Sequence, residues 1–245
     1  MKSNALAAGL AALIISLPSL GETLTLTASE WPPYIDKEVR GGGFAVSLVS
    51  AALERAGYET SFSEQPWPDA LEATVDGEYD AIVGIWYTDE RSESLAFSAP
   101  YIDCEIALIK LTTSDFRFTG PESLIGRQVG VVEDYAYSRE AIDRTGIEVI
   151  TTGSVAEAVA KLRSGELDLV VADRRVAFSH INERALAKSF DVLPNPLLTR
   201  GLRIAVPRNR PDHTEIITAF DAAISEMRAD GTYNSILASF RISTW

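Results

Sequence analysis

Two stretches of the chain, Ala70–Val83 (ALEATVDGEYDAIV) and Ala158–Val171 (AVAKLRSGELDLVV), follow the same plan. Each is an amphipathic run that stops at Gly-Glu-x-Asp, Gly77 to Asp80 and Gly165 to Asp168, and passes at once into an apolar run. Upstream, Gly57-Tyr58-Glu59 and Gly146-Ile147-Glu148 each open a β-rich segment at nearly the same spacing, so turn, strand, helix, turn and strand recur in order. Several features repeating in register mark a duplicated supersecondary unit. Glycine after a helix readily takes positive φ, and an apolar run behind it suits a strand buried on both faces of a parallel sheet. The repeated unit is βαβ.

Extending this outward predicts strands over Leu24–Thr27, Glu59–Phe62, Ala81–Ile85, Gln128–Val132, Glu148–Thr151, Leu167–Ala172 and Leu202–Val206. Helices are expected over Ala45–Ala56, Asp69–Val75, Ser138–Arg144, Val155–Ser164, Arg175–Ala187, Thr214–Ala229 and Thr232–Ser239. Alternating strands and helices give an α/β fold of two related lobes, each with its own mostly parallel sheet. Open α/β sheets bind ligands beyond the carboxyl ends of their strands. That rule nominates Ser29, Glu30, Trp31 and Tyr34 after the first strand, and Trp86, Thr88 and Arg91 after the third. In the second half it nominates Glu133, Asp134, Tyr135 and Tyr137, then Asp173 and Arg174.

Composition narrows the chemistry. The 245 residues carry 22 Lys+Arg against 35 Asp+Glu, a formal net charge of −13, which repels phosphate backbones and argues against a nucleic-acid partner. One cysteine, Cys104, leaves no disulfide framework or CxxC site, and nothing nearby would make it a thiolate, so it reads as a buried packing residue. His180 and His213 are the two histidines and read as solvated. No HExxH, GxSxG, Walker A or GxGxxG pattern occurs, and neither a metal nor a cofactor is expected. At the amino end, Lys2, the apolar run Ala5–Leu17 and the small residues Ser19 and Gly21 read as a secretory signal peptide over residues 1–21, cleaved after Gly21. The product is expected in the periplasm, without a cysteine for lipid attachment at that site.

Four motifs carry a family resemblance: Trp31-Pro32-Pro33-Tyr34 with Gly43-Phe44-x-Val46; Gly77-Glu78-x-Asp80 through Thr88-x-Glu90-Arg91; Phe97-Ser98-x-Pro100-Tyr101; and Leu124-x-Gly126-x-x-Val129-Gly130-Val131. With Gly165-x-x-Asp168 to Asp173 and Arg228-Ala229-Asp230-Gly231-Thr232-Tyr233, they cover nearly the whole mature chain. The sequence resembles the bacterial extracellular solute-binding proteins of family 3, periplasmic receptors that deliver polar amino acids and related solutes to ABC importers. The resemblance implies two lobes joined by two hinge strands, residues 22–102 plus 203–245 and residues 103–202, closing on a small-molecule solute by hinge bending. It implies a monomer that docks on the membrane permease subunits of an ABC importer and does no covalent chemistry.

The resemblance also implies residue roles. Arg91 is placed to fork onto a ligand carboxylate, although Thr88 can equally cap a helix carrying Asp89, Glu90 and Arg91. Asp173 matches the carboxylate that accepts a ligand ammonium, but it is also a sound N-cap for a helix starting at Arg174. Trp31 and Tyr34 either wall the cleft or face the core from a rigid turn, and Trp67 either walls the cleft or opens the following helix. Trp86 stands where many amino-acid binders have Ser or Thr, and Tyr135 and Tyr137 replace a Gly-Ser/Thr-Thr loop. A pocket this rich in Trp and Tyr, with Glu30, Glu133 and Asp134 around it, suits a cationic or amine-bearing solute or a flat aromatic one. Two other functions fit related sequences: a periplasmic cyclohexadienyl-type dehydratase using a carboxylate as acid, and a ligand-sensing module without transport.

Overall fold

The computed structural model describes residues 21–133, 135–136, 146–181 and 188–240. The expected signal peptide and the helix expected over Ser138–Arg144 lie outside the described residues, except for Gly21. In chain order, β1 (Thr23–Ala28) leads to α1 (Phe44–Arg55), β2 (Glu59–Glu64), α2 (Trp67–Asp76), β3 (Ala81–Trp86), the short α3 (Asp89–Ser94) and β4 (Leu95–Phe97). Next come β5 (Ile102–Leu111), β6 (Gln128–Val132), β7 (Glu148–Thr152), α4 (Val155–Ser164), β8 (Leu169–Asp173) and α5 (Arg174–Ile181). The chain closes with β9 (Phe190–Val192), β10 (Leu198–Pro207), α6 (His213–Asp230) and α7 (Thr232–Ser239).

The duplication is visible in the backbone. β1 lies parallel between β2 and β3, and β6 lies parallel between β7 and β8. α2 ends at Gly77 with φ 83° and α4 at Gly165 with φ 82°, the left-handed caps that the two glycines permit without a Cβ clash. The two turn aspartates act alike. Asp80 accepts hydrogen bonds from the Thr25 N–H and hydroxyl, both at 2.7 Å, and Asp168 accepts from the Gln128 N–H at 2.9 Å. Each carboxylate thereby ties the turn entering the third strand of its unit to the first strand.

The two sheets expected are one. β5 and β10 run antiparallel to each other, Ile102–Ile106 against Leu198–Leu202, while β10 continues along β3 and β5 along β8. The order β2-β1-β3-β10-β5-β8-β6-β7 is therefore unbroken, with β4 added on β10 and β9 on β5. Because each long strand pairs with one triplet and with the other long strand, the ladder crosses from one parallel triplet to the other without a gap. β4, β5 and β9 are additions to the expected strands.

On one side, α1 buries Phe44, Leu48, Val49, Ala52 and Leu53 and packs on α6, whose Ile216, Phe220, Ile224 and Met227 are also buried. At roughly 1.5 to 3 kcal/mol per fully buried large apolar side chain, this layer is a main source of stability for the first triplet. α1 starts at Gly43, φ 95°, where a Cβ would stand 2.4 Å from the Tyr34 carbonyl oxygen. Glycine there lets the Ala45 N–H donate to that same oxygen at 3.0 Å, which seats the Trp31–Ile35 turn on the helix start.

Candidate functional site

A cavity of about 820 Å³ opens where the strand rule put it. Ser29, Glu30 and Trp31 reach it from the end of β1, Trp86 from β3, Val132, Glu133 and Tyr135 from β6, and Gly153 to Val155 from β7. Val176 and His180 close it from α5, Trp67 and Pro68 from α2, and Arg91 from α3.

Three of its aromatic rings are mutually perpendicular. Trp31 meets Trp86 at 5.2 Å and 90°, Trp31 meets Tyr135 at 6.2 Å and 88°, and Trp86 meets Tyr135 at 5.6 Å and 82° between centroids and planes. Tyr34 stacks against Trp31, at 4.2 Å and 13°. The Arg91 guanidinium lies over the fourth ring of the cavity, Trp67, at 5.0 Å, and its Nη1 donates to the Trp86 carbonyl at 3.0 Å. Thr88 shapes this corner from behind: its hydroxyl caps α3 by accepting from the Arg91 N–H at 3.2 Å.

Charge surrounds the rings. Glu30, Glu64 and Glu133 line the cavity with Lys37 and His180, and Lys37 pairs with Glu64 at 3.4 Å. Burial lowers the pKa of the His180 imidazole against the opposing pull of Glu30, which keeps the ring neutral at neutral pH. His180 is half-buried on the cavity wall rather than solvated, because it follows Val176 by four residues and so shares its helix face. Lys37, Glu64 and His180 were not singled out as site residues in the sequence, and the helical spacing of Val176 and His180 was the available signal for the last.

Of the residues nominated from the sequence, Ser29, Glu30, Trp31, Trp67, Trp86, Arg91, Glu133 and Tyr135 line the cavity. Tyr137 lies outside the described residues, as does Asp134. Tyr34, Thr88 and Asp173 are not on its wall. Asp173 is fully buried, with Oδ1 accepting from the Arg175 and Val176 N–H groups at 2.9 and 3.0 Å and Oδ2 accepting from the Tyr34 hydroxyl at 3.0 Å. This is helix capping with an added tyrosine. Burial lifts the carboxyl pKa to about 6, and the hydrogen bonds from the Val176 N–H and Tyr34 hold it from rising further. Cys104 is also fully buried, and burial raises its thiol pKa well above the ordinary value.

Side chains bridge the two parallel triplets behind and beside the cavity. Arg175 Nη1 donates to the Tyr34 hydroxyl at 3.2 Å and to the Asp103 carbonyl at 2.8 Å, and the Ser179 hydroxyl donates to the Pro32 carbonyl at 3.2 Å. Arg200 reaches the Tyr87 and Ala136 carbonyls at 3.3 and 3.4 Å.

A family model for the bacterial extracellular solute-binding proteins, family 3, matches residues 25–241. The chain belongs to that family. Among curated family relatives, the L-arginine-binding protein of Pseudomonas aeruginosa is 28% identical over 251 residues, covering 96% of this chain and 95% of the relative. A probable histidine-binding protein of Neisseria gonorrhoeae is 26% identical, covering 86% and 80%. Among solved structures, an ancestral arginine-binding protein bound to arginine superposes with a TM-score of 0.73 at 25% identity, covering 90% of this chain and 99% of the other. A histidine kinase sensor domain with similarity to periplasmic binding proteins has a TM-score of 0.76 at 23% identity, covering 90% and 96%, and shows the shared fold. The periplasmic-binding-protein-like fold follows from these superpositions, and the family is one of binding proteins.

Proposed function

We propose that this family member is an exported receptor that captures a small carboxylate-bearing solute, an amino acid or related amine, in the cavity at the strand ends. It then delivers the solute to the permease subunits of an ABC importer. The observation that carries the reading is Arg91 set into the cavity wall between Trp67 and the Trp86 carbonyl, a fixed guanidinium fork beside a group of aromatic faces. The acids Glu30, Glu64 and Glu133 favour a solute with a positive group as well. Relatives named for arginine and histidine binding support the same class.

The lobes we assign are residues 22–102 plus 203–245 and residues 103–202, hinged where β5 and β10 cross between the triplets. The bridges from Arg175, Ser179 and Arg200 belong to the closed arrangement, and opening breaks them. Solute binding with differential contacts to the closed form shifts that equilibrium, with no chemical turnover.

The test is a melting-temperature panel on protein unfolded and refolded to strip carried-over solute, run with the amino acids, polyamines, betaines and organic acids. Ligands that bind the native state raise the melting temperature by mass action. A shift confined to carboxylate-bearing amines supports the reading. Shifts only with solutes lacking a carboxylate, or turnover of a cyclohexadienyl amino acid, overturn it.

A further inference from the structure

Tyr135 joins the two halves of the molecule through ring contacts. Trp31 follows β1 and Trp86 ends β3, both in the first parallel triplet, whereas Tyr135 follows β6 in the second. Its ring meets Trp31 edge-on at 6.2 Å and Trp86 at 5.6 Å, and the two indoles meet each other at 5.2 Å. Trp31 and Trp86 are only 9% and 6% exposed, so the three rings pack on one another and fill the space between them. Perpendicular aromatic pairs of this kind attract beyond the area they bury. Two of the three pairs run from one triplet to the other.

The backbone beside the rings is tied in the same sense. Arg200, on β10, donates from Nη1 to the Tyr87 carbonyl and from Nη2 to the Ala136 carbonyl. Tyr87 follows Trp86 and Ala136 follows Tyr135, so one guanidinium holds the two segments that carry the facing rings. The indoles themselves are firmly based: Trp31 bridges Ile35 within its turn and stacks on Tyr34, and Trp86 pairs with Leu202 in the sheet. They form a fixed seat for the Tyr135 ring.

For a protein that binds by closing, the apparent affinity is the intrinsic affinity reduced by the fraction of molecules in the closed form. Contacts that the chain makes with itself across the cleft raise that fraction before any solute arrives. Two ring pairs of ordinary strength move such an equilibrium by roughly tenfold. We infer that Tyr135 is an aromatic clasp: seated against Trp31 and Trp86, it draws the two lobes together through the chain's own contacts and so sets how much of the closing the solute must drive. This rests on the capture reading above and names a residue that tunes its affinity. Tyr135 also lines the cavity, so direct contact with the solute is the competing role. A clasp acts on the protein without solute, whereas a solute contact acts only on the complex.

The experiment is small-angle X-ray scattering of the refolded, solute-stripped protein, comparing wild type with Tyr135→Ala and Tyr135→Phe. It is paired with calorimetric titration using L-arginine, L-histidine and any other panel solute that raises the melting temperature. Solute-free wild type is expected to be compact, with a radius of gyration close to its value at saturation. Tyr135→Ala should expand without solute, return to the compact form at saturation and bind roughly tenfold more weakly, while Tyr135→Phe keeps the ring and should follow wild type. Should the alanine variant fail to fold, Tyr135→Leu, which keeps apolar bulk without the ring, takes its place. Equal solute-free radii in wild type and the ring-less variant overturn the clasp, and weaker binding without expansion makes Tyr135 a solute contact instead. Expansion of Tyr135→Phe to the same extent also overturns it, because the effect then lies in the hydroxyl. Each of these outcomes leaves solute capture standing. A folded protein that binds nothing in the panel removes capture, and the solute-free scattering still decides the clasp.

Discussion

The Tyr34 hydroxyl donates to the Asp173 carboxylate across 3.0 Å, with both side chains fully buried and 139 residues apart in the chain. The bond joins the turn after β1 to the end of β8, and so links the two halves directly behind the cavity. Arg175 donates to the same hydroxyl, and Cys104 packs beside it.

Asp173 makes stability depend on pH in an unusual direction. Its folded pKa of about 6 exceeds the ~3.9 of an unfolded aspartate, so between these values the folded state binds more protons. Its contribution is fully present below about pH 4 and is lost as pH rises through 6, a change on the order of 3 kcal/mol. Asp173→Asn mimics the protonated form and keeps the helix cap. Urea denaturation should show wild type losing stability relative to this variant from pH 4 to 6.5, and parallel curves would refute the assignment. Solute affinity should change less than about threefold, whereas a loss matching that of Arg91→Ala would return Asp173 to ammonium binding.

The repeated aspartates should differ in weight despite their equivalent places. Asp80 is half-buried, takes two hydrogen bonds from Thr25 and pairs with Arg210, which also holds Glu22 and Asp212. Asp168 is more exposed and, among the described residues, meets a distant Arg127 at 3.7 Å besides its bond from Gln128. Asp80→Ala should cost about 2 to 4 kcal/mol and Asp168→Ala about 1 kcal/mol, read from denaturant midpoints. Equal costs would show that the Arg210 cluster adds nothing.

Cys104 should be silent in the native protein. Burial both shields the sulfur and raises its pKa, and the thiolate is the reactive form. A disulfide-exchange reagent should therefore label it only at the rate of unfolding and at once in denaturant. Rapid native labelling would mean that the region behind the cavity opens easily.

How far the sequence reveals this structure depends on the range of each interaction. The helix ends at Gly77 and Gly165 and the strands behind them rest on local glycine conformation and apolar runs, so they can be read directly. β8 begins at Leu169 and not Leu167, because Asp168 is committed to Gln128 in the neighbouring strand. The ten-residue β5 carries a readable apolar signal over Ile102–Leu111, yet its use as a link between the two parallel triplets of one sheet depends on pairing with Leu198–Leu202, far along the chain. The same limit governs the site. Trp31, Trp67, Trp86, Arg91 and Tyr135 follow from lying just beyond strands or at helix starts, whereas Tyr34 and Asp173 turn inward because they find each other.

Three of the four tryptophans, Trp31, Trp67 and Trp86, line the cavity, so their fluorescence reports directly on its occupancy. The decisive measurement is a tryptophan-fluorescence titration of wild type and Arg91→Ala with the carboxylate-bearing solute selected by the melting panel. A saturable change in wild type, weakened by about 2 to 4 kcal/mol in Arg91→Ala, is the predicted result. Binding that leaves the tryptophans unaffected, or equal affinity in the two proteins, would contradict capture at this cavity.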